Sequence, residues 1–339
     1  MEKTSKSPLK SILTIVISLA FAGFFLWLAL KGLDFKVIQQ SLAKANYLWV
    51  LFASVFGLLA YWFRAIRWNL MLEPMGHRIS NSNSLWSISF GYLMNLTIPR
   101  SGELARATAL YGVEKVPVDK SFGTIILERV VDLICMMGFL GLTLLFKYDA
   151  ILSFYKNSGV QVNPNKILLA LLILIGGTIL FFVFKKRLSN LPFLGKVVSF
   201  IDGIFQGLTT IFKLKEKGKF IIYTLGIWIC YYLAAYLVCF ALPETSGFSP
   251  ADGFFIIVVG TLGMIIPASG GIGAYNLAMK FGFMALFISM GKSAELGGEM
   301  GLTYSFISLP LQIVIMLVMG LISIPMLTKA RNASVSHND

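Results

Sequence analysis

Histidine, cysteine and charge are all scarce in this chain. Its 339 residues include two histidines and three cysteines, and 13% are charged. His77 and His337 stand far apart in loops or tails, and no metal-ligand spacing joins them to Cys135, Cys230 and Cys239. The cysteines lie in apolar runs, where a thiol is ordinarily a buried, inert hydrophobe, so neither disulfides nor a zinc site is expected. Nucleotide motifs are missing as well. Gly270-Gly271-Ile272-Gly273 follows no β-strand and lacks the lysine and serine or threonine of a phosphate-binding loop. No cofactor is expected.

What the chain has is apolar residues: 57% are hydrophobic and the mean hydropathy is +0.78. A soluble domain cannot hide that fraction, so lipid must solvate much of the surface. Ile12–Leu30 is an uncharged run of nineteen residues, enough to cross the hydrocarbon core. Lys3, Lys6 and Lys10 precede it and Ala20-Phe21-Ala22 mimics a cleavage site, yet the run outlasts a usual signal peptide, so an uncleaved first helix is expected. Further runs are Tyr47–Phe63, Leu133–Phe146, Ile167–Phe184, Phe220–Leu242 and Leu302–Leu327. The reading is an all-α polytopic membrane protein, residues 1–339 forming a single integral membrane domain.

Formal net charge is +13, and its placement sets an expected topology. Lysines and Arg187 crowd residues 185–219 against only Asp202 and Glu216, which makes this a cytoplasmic loop by the positive-inside rule. Pro243–Asp252 carries only Glu244 and Asp252 and should face outward. The N-terminal lysines, and Lys329 with Arg331, place both termini in the cytoplasm. The basic loop lacks interleaved aromatics, so anionic headgroups rather than nucleic acid are its expected partner. Within it, "FLGKVVSFIDGIFQGLTTIF" has helical apolar spacing and suggests an amphipathic helix on the inner leaflet.

One phrase occurs twice. "NLTIPRSGELAR" (Asn95–Arg106) and "GMIIPASGGIGAYN" (Gly263–Asn276) each follow an apolar run with Ile-Pro-x-Ser-Gly. Pro99, Ser101 and Gly102 break the first segment. Pro267, Ser269, Gly270, Gly271, Gly273 and Asn276 mark the second. About six full spans satisfy the charges if Leu85–Leu110 and Phe254–Met290 are both re-entrant hairpins. Each then falls between two spans, in units of about 47–146 and 220–327 with opposite orientation. Inverted repeats with discontinuous helices are characteristic of transporters, whose broken ends supply a midplane site.

Ionisable residues crowd the first unit: Arg64 and Arg67, then Arg100, Glu103 and Arg106, then Glu128, Arg129 and Asp132. Charge at bilayer depth is costly unless paired or hydrated, so such residues ordinarily line a cavity or path. Spacings of three (Arg64/Arg67, Glu103/Arg106) and four (Glu128/Asp132) put partners on shared helix faces, with Arg129 on a neighbouring one. An arginine-lined pocket partly balanced by acids suits a phosphate headgroup, because guanidinium forks match its oxygens. Arg100 and Arg106, beside the break, are the foremost substrate candidates. Arg64 and Arg67 could instead snorkel to the interface beside Trp62 and Trp68. Glu128, Arg129 and Asp132 could form an ion-pair cluster tying hairpin to span. The second break is uncharged, and its exposed N–H groups could bind an anion, with Lys280 beyond it.

Arg67, "IPRSGELARATAL", "LERVVDL" and "IPASGGIGAYN" together resemble the lysylphosphatidylglycerol synthase transmembrane-region family, or flippase-like integral membrane proteins, over roughly Ser11 to Lys329. The resemblance implies a lipid-handling protein of a prokaryotic cytoplasmic membrane. In the best-understood relatives this region moves an aminoacylated phospholipid between leaflets, and a separate soluble domain makes that lipid. No room is expected here for that domain, so synthase activity is not carried over. Asn276 departs from the family, which commonly has an acid there. An amide neither balances a cationic headgroup nor titrates, so an aminoacyl-lipid substrate and proton coupling are not carried over either.

The expected function is therefore a non-enzymatic flippase acting on an anionic or modified phospholipid, or a lipid-linked precursor, by alternating access. Arg100 and Arg106 would hold the phosphate, supported by Arg64, Arg67 and Arg129 and tuned by Glu103, Glu128 and Asp132. One alternative is a non-catalytic partner of a lipid- or glycan-modifying enzyme, docking through the basic loop. Another is a membrane enzyme using Glu103 and Glu128 as acid and base. Oligomeric state is left open.

Overall fold

The computed structural model describes residues 35–98, 100–157, 209–266 and 271–336, together with positions 198, 202 and 206. The expected spans Ile12–Leu30 and Ile167–Phe184, most of the 185–219 loop with its amphipathic segment, and Pro99, Pro267, Ser269, Gly270 and His337 lie outside the described residues. The described residues are helical and include no strand. In chain order they form α1 (Phe35–Lys44), α2 (Tyr47–Leu72), α3 (Asn81–Thr97), α4 (Gly102–Glu114) and α5 (Val118–Phe146). Then follow α6 (Tyr148–Asn157), α7 (Lys217–Cys239), α8 (Pro250–Ile265), α9 (Ala274–Ser289) and α10 (Ala294–Ser336).

Four of these helices, α2, α5, α7 and α10, are long and apolar enough to cross a membrane. Leu133, Ile134, Leu145, Ile221, Ile222, Val314 and Leu321 on them point outward and are exposed. Water would not tolerate such a belt, and lipid favours it. Three of the helices begin before the apolar run that announced them, and α2 ends well after it. It continues past Phe63 to Leu72, and α5 starts at Val118 rather than Leu133. Hydropathy registers contact with lipid, whereas a helix continues wherever its backbone bonds can be completed. The ionisable residues of α2 and α5 are therefore helical rather than flanking.

The repeated phrase ends two helices by one mechanism. Ile98 and Ile266 each precede a proline and are extended, at φ −129°, ψ 112° and φ −66°, ψ 128°. Proline's Cδ clashes with an α conformation at the preceding residue, so the helix must stop there. An asparagine then stitches each break to a glycine N–H. Gly102 N–H donates to Asn95 Oδ1 at 2.7 Å, and Gly273 N–H donates to Asn276 Oδ1 at 2.9 Å.

The helices on either side of each break pack antiparallel. In the first pair, Gly102 meets Asn95 beside the break while Asn83 donates to Glu114 at the far ends, 2.7 Å. In the second, Gly263 lies against Ala278 and Tyr275, and Val259 lies against Gly282. Their lengths are 17 and 13 residues for α3 and α4, and 16 each for α8 and α9. At about 1.5 Å per residue, none reaches the roughly 30 Å of a hydrocarbon core.

Small residues bring these pairs close. A Cβ on Gly91 would sit 2.7 Å from the Gly102 carbonyl oxygen and 3.0 Å from Arg106 Cβ. Gly297 and Gly301 of α10 likewise let that helix touch the α9 backbone, as small-xxx-small seams do in membranes. α10 also packs on α3, and α2 on α7, which ties both pairs to the long helices. Gly91→Val should separate α3 from α4 and cost about 1–3 kcal/mol of stability. Gly138→Val, whose added Cβ meets nothing, should be close to neutral. Unfolding midpoints in matched micelles compare the two variants.

Candidate functional site

The three-residue spacing of Arg64 and Arg67 places both on one face of α2, where they meet the four-residue pair Glu128 and Asp132 on α5. Arg64 Nη2 lies 2.8 Å from Asp132 Oδ2, and Arg67 Nη2 lies 3.0 Å from Asp132 Oδ1 and 3.5 Å from Glu128 Oε1. Arg106 of α4 completes the group, with Nη1 2.5 Å from Glu128 Oε2. Arg67 and Glu128 are almost wholly buried, and Arg64 and Arg106 are nearly so. The snorkelling alternative for Arg64 and Arg67 is thereby corrected: both point into protein because carboxylates one helix away compensate them.

Residues without a charge complete the setting. Arg106 stacks over the Trp68 ring, with Cζ 3.6 Å from the centroid, and Trp68 Nε1 donates to Thr124 Oγ1 at 2.8 Å. Arg67 Nη1 donates to Thr224 Oγ1 of α7 at 3.4 Å. Trp68 was open to discovery as the residue after Arg67 on the same turn. Thr224 sits 157 positions away, and no local pattern marks it.

The charges do not cancel. Among the described residues, the three guanidiniums of Arg64, Arg67 and Arg106 face the two carboxylates of Glu128 and Asp132, leaving one positive charge in excess. Arg129 and Glu103 pair at 2.9 Å, more exposed and neutral together. Several donors are also unspent: among the described residues, Arg64 Nε, Arg67 Nε, and both Nε and Nη2 of Arg106 are buried without a hydrogen-bond partner. Such orphaned donors are costly in a dry interior. Arg106, Glu103 and Arg129 line a narrow cleft between α3, α4 and α5, together with Gly91, Asn95 and Gly102.

Arg100 is placed elsewhere. It takes a left-handed backbone conformation (φ 64°), and its Nη2 donates to the Ile265 carbonyl at 2.5 Å, at the end of α8. The first break is thus held directly to the second, across 165 positions. The other end of α8 is held too, because Lys147 Nζ lies 2.7 Å from Asp252 Oδ1. Ser101 turns its hydroxyl to the Met94 and Ile98 carbonyls, closing its own turn. Gly271 and Gly273 are buried with positive φ (76° and 83°), which accounts for glycine at both positions. Asn276 is buried and bonded at both ends of its amide: besides accepting from Gly273, its Nδ2 donates to Ser305 Oγ at 2.7 Å.

Glu128 serves two arginines from two helices, so its loss should be felt widely. Glu128→Gln should destabilise the protein by about 3–5 kcal/mol, the cost of stranding buried charge. Glu103→Gln removes a partly exposed pair and should cost under about 1 kcal/mol. Denaturant titration of both variants in micelles checks the ranking, and equal effects would contradict it.

The family model described as lysylphosphatidylglycerol synthase TM region matches residues 15–318. A protein of Haloferax volcanii named glycosyltransferase AglD is 24% identical over 315 residues, covering 84% of this chain and 50% of the relative. A UPF0104 membrane protein of Methanocaldococcus jannaschii is 28% identical over 122 residues, covering 35% of this chain and 36% of the relative. The chain thus spans about half the length of the first and about a third of the second. No solved structure matches significantly. With its multi-pass helical architecture and a match across most of its length, the chain belongs to the lysylphosphatidylglycerol synthase TM region family.

Proposed function

We propose that the protein is a lipid flippase, moving an anionic lipid or a lipid-linked precursor between leaflets of a prokaryotic cytoplasmic membrane. One observation carries this reading: a buried arginine cluster with an uncompensated positive charge, one member of which lines a cleft. A purely structural cluster would be expected to balance, because lipid offers no counterions to complete it. In this reading the two helix pairs are re-entrant hairpins of an inverted repeat, with about six full spans and both termini in the cytoplasm. Alternating access would pivot α8 at its buried Lys147–Asp252 end and release it at the exposed Arg100–Ile265 end. Arg100 would act as an inter-hairpin latch as well as a first contact for the headgroup.

A second reading is a non-catalytic membrane partner that presents lipid to a glycan-modifying enzyme; the name of the Haloferax relative, a glycosyltransferase, supports only the link to glycan chemistry. Acid–base catalysis is supported less, since Glu128 and Glu103 are each committed to arginine.

Leaflet exchange of fluorescent anionic and zwitterionic lipids in proteoliposomes separates the readings. A flippase should speed anionic exchange at least about tenfold over empty liposomes, roughly the effect of 1.4 kcal/mol on a barrier. Arg106→Gln should abolish the gain and Arg100→Ala should change its rate. Charge reversal across Lys213–Lys219 should matter little. The opposite ranking, with no exchange above background, would favour the partner reading.

A further inference from the structure

Resting on the flippase reading, we infer that the cleft binds one phosphodiester monoanion, carried by a lipid, through the Nε/Nη2 edge of Arg106. A guanidinium has a side edge, formed by Nε–H and one Nη2–H, that points two parallel donors in one direction. This fork matches two oxygens of a phosphate. Arg106 spends its Nη1 on Glu128 and its flat face on Trp68, so the other donors are already fixed in place. Among the described residues, Nε and Nη2 are the atoms left unpartnered, on a residue that is 5% exposed and lines the cleft. On Arg64 and Arg67 the Nη2 end of the same edge is already taken by carboxylates, so neither offers this fork.

Charge selects the ligand further. The cluster has one excess positive charge, so a monoanion brings the buried group to neutrality. A phosphomonoester is largely a dianion above its second pKa of about 6 and would bury a net negative charge. The Arg129–Glu103 pair at the cleft adds no net charge. Diesters are therefore preferred over monoesters even though both offer the same oxygens.

The source of the diester follows from the residues next along the chain to the cleft's Glu103 and Arg129. Leu104 of α4 and Val130 and Leu133 of α5 are exposed apolar side chains beside Glu103 and Arg129. A water-borne phosphodiester gains nothing from them, whereas acyl chains do so in proportion to the apolar area they cover.

Binding to the purified chain in phosphate-free maltoside micelles tests the inference without any transport step. Three ligands are compared by calorimetry at pH 8: dihexanoyl phosphatidylglycerol, dihexanoyl phosphatidic acid, and glycerophosphoglycerol without chains. The diester lipid should bind at least tenfold more tightly than either of the others. Arg106→Lys keeps the charge but removes the fork, and should lose that affinity at least tenfold. Asp132→Asn adds one positive charge and should shift the preference towards the phosphatidic acid. Phosphatidic acid binding as tightly as the diester lipid to the native chain would overturn the charge argument. Undiminished binding by a folded Arg106→Lys would overturn the fork, and equal binding of the chainless diester would overturn the lipid source. If Arg106→Lys does not fold, the wild-type ranking and Asp132→Asn still decide. Fork-dependent diester binding without leaflet exchange would leave this inference standing and remove the flippase reading. Exchange without diester selectivity would do the reverse.

Discussion

Glu128 is the group on which the architecture around the cleft depends. From α5 it reaches Arg67 of α2 with one oxygen and Arg106 of α4 with the other, so three helices converge on one carboxylate. In water such an arrangement would contribute little. In a lipid-solvated protein no counterion is at hand, and each charge must find its compensation within the fold. Asp132 extends the same logic to Arg64. Among the described residues the arginines exceed the acids by one, and Arg106, whose Nε and Nη2 are unpartnered, lines a cleft, so structure and candidate function come from one accounting of charge.

The two breaks obey a different constraint, that of the backbone. A proline forces the preceding isoleucine to be extended, and the N–H groups exposed by the interruption need acceptors inside the protein. Asn95 and Asn276 supply them by side chain, each to a glycine. The first break then contributes Arg100 to the carbonyl end of α8, where unpaired C=O groups favour a cation. Two local interruptions are thereby joined into one feature.

Much of this was legible in the residues. Long apolar runs announced the membrane helices, the repeated Ile-Pro-x-Ser-Gly phrase announced two interruptions, and spacings of three and four announced which charges share a face. The extent of α2 was not legible, because its apolar run stops at Phe63 while the helix continues to Leu72 through a polar, buried turn. That is why snorkelling stood as an alternative for Arg64 and Arg67. Partners supplied by distant segments, Thr224 to Arg67 and the Ile265 carbonyl to Arg100, leave no trace in local pattern. Asn276 read as the absence of a carboxylate, yet the amide donates to Ser305 through a group that a carboxylate lacks.

The most direct measurement is an experimental structure of the protein in nanodiscs containing phosphatidylglycerol, at a resolution that shows side chains. A phosphate is expected in the cleft, with two of its oxygens about 2.7–2.9 Å from Arg106 Nε and Nη2. Glu128 should still bridge Arg67 and Arg106. Arg106 with that edge satisfied by the protein itself, and the cleft closed around it, would contradict the central claim.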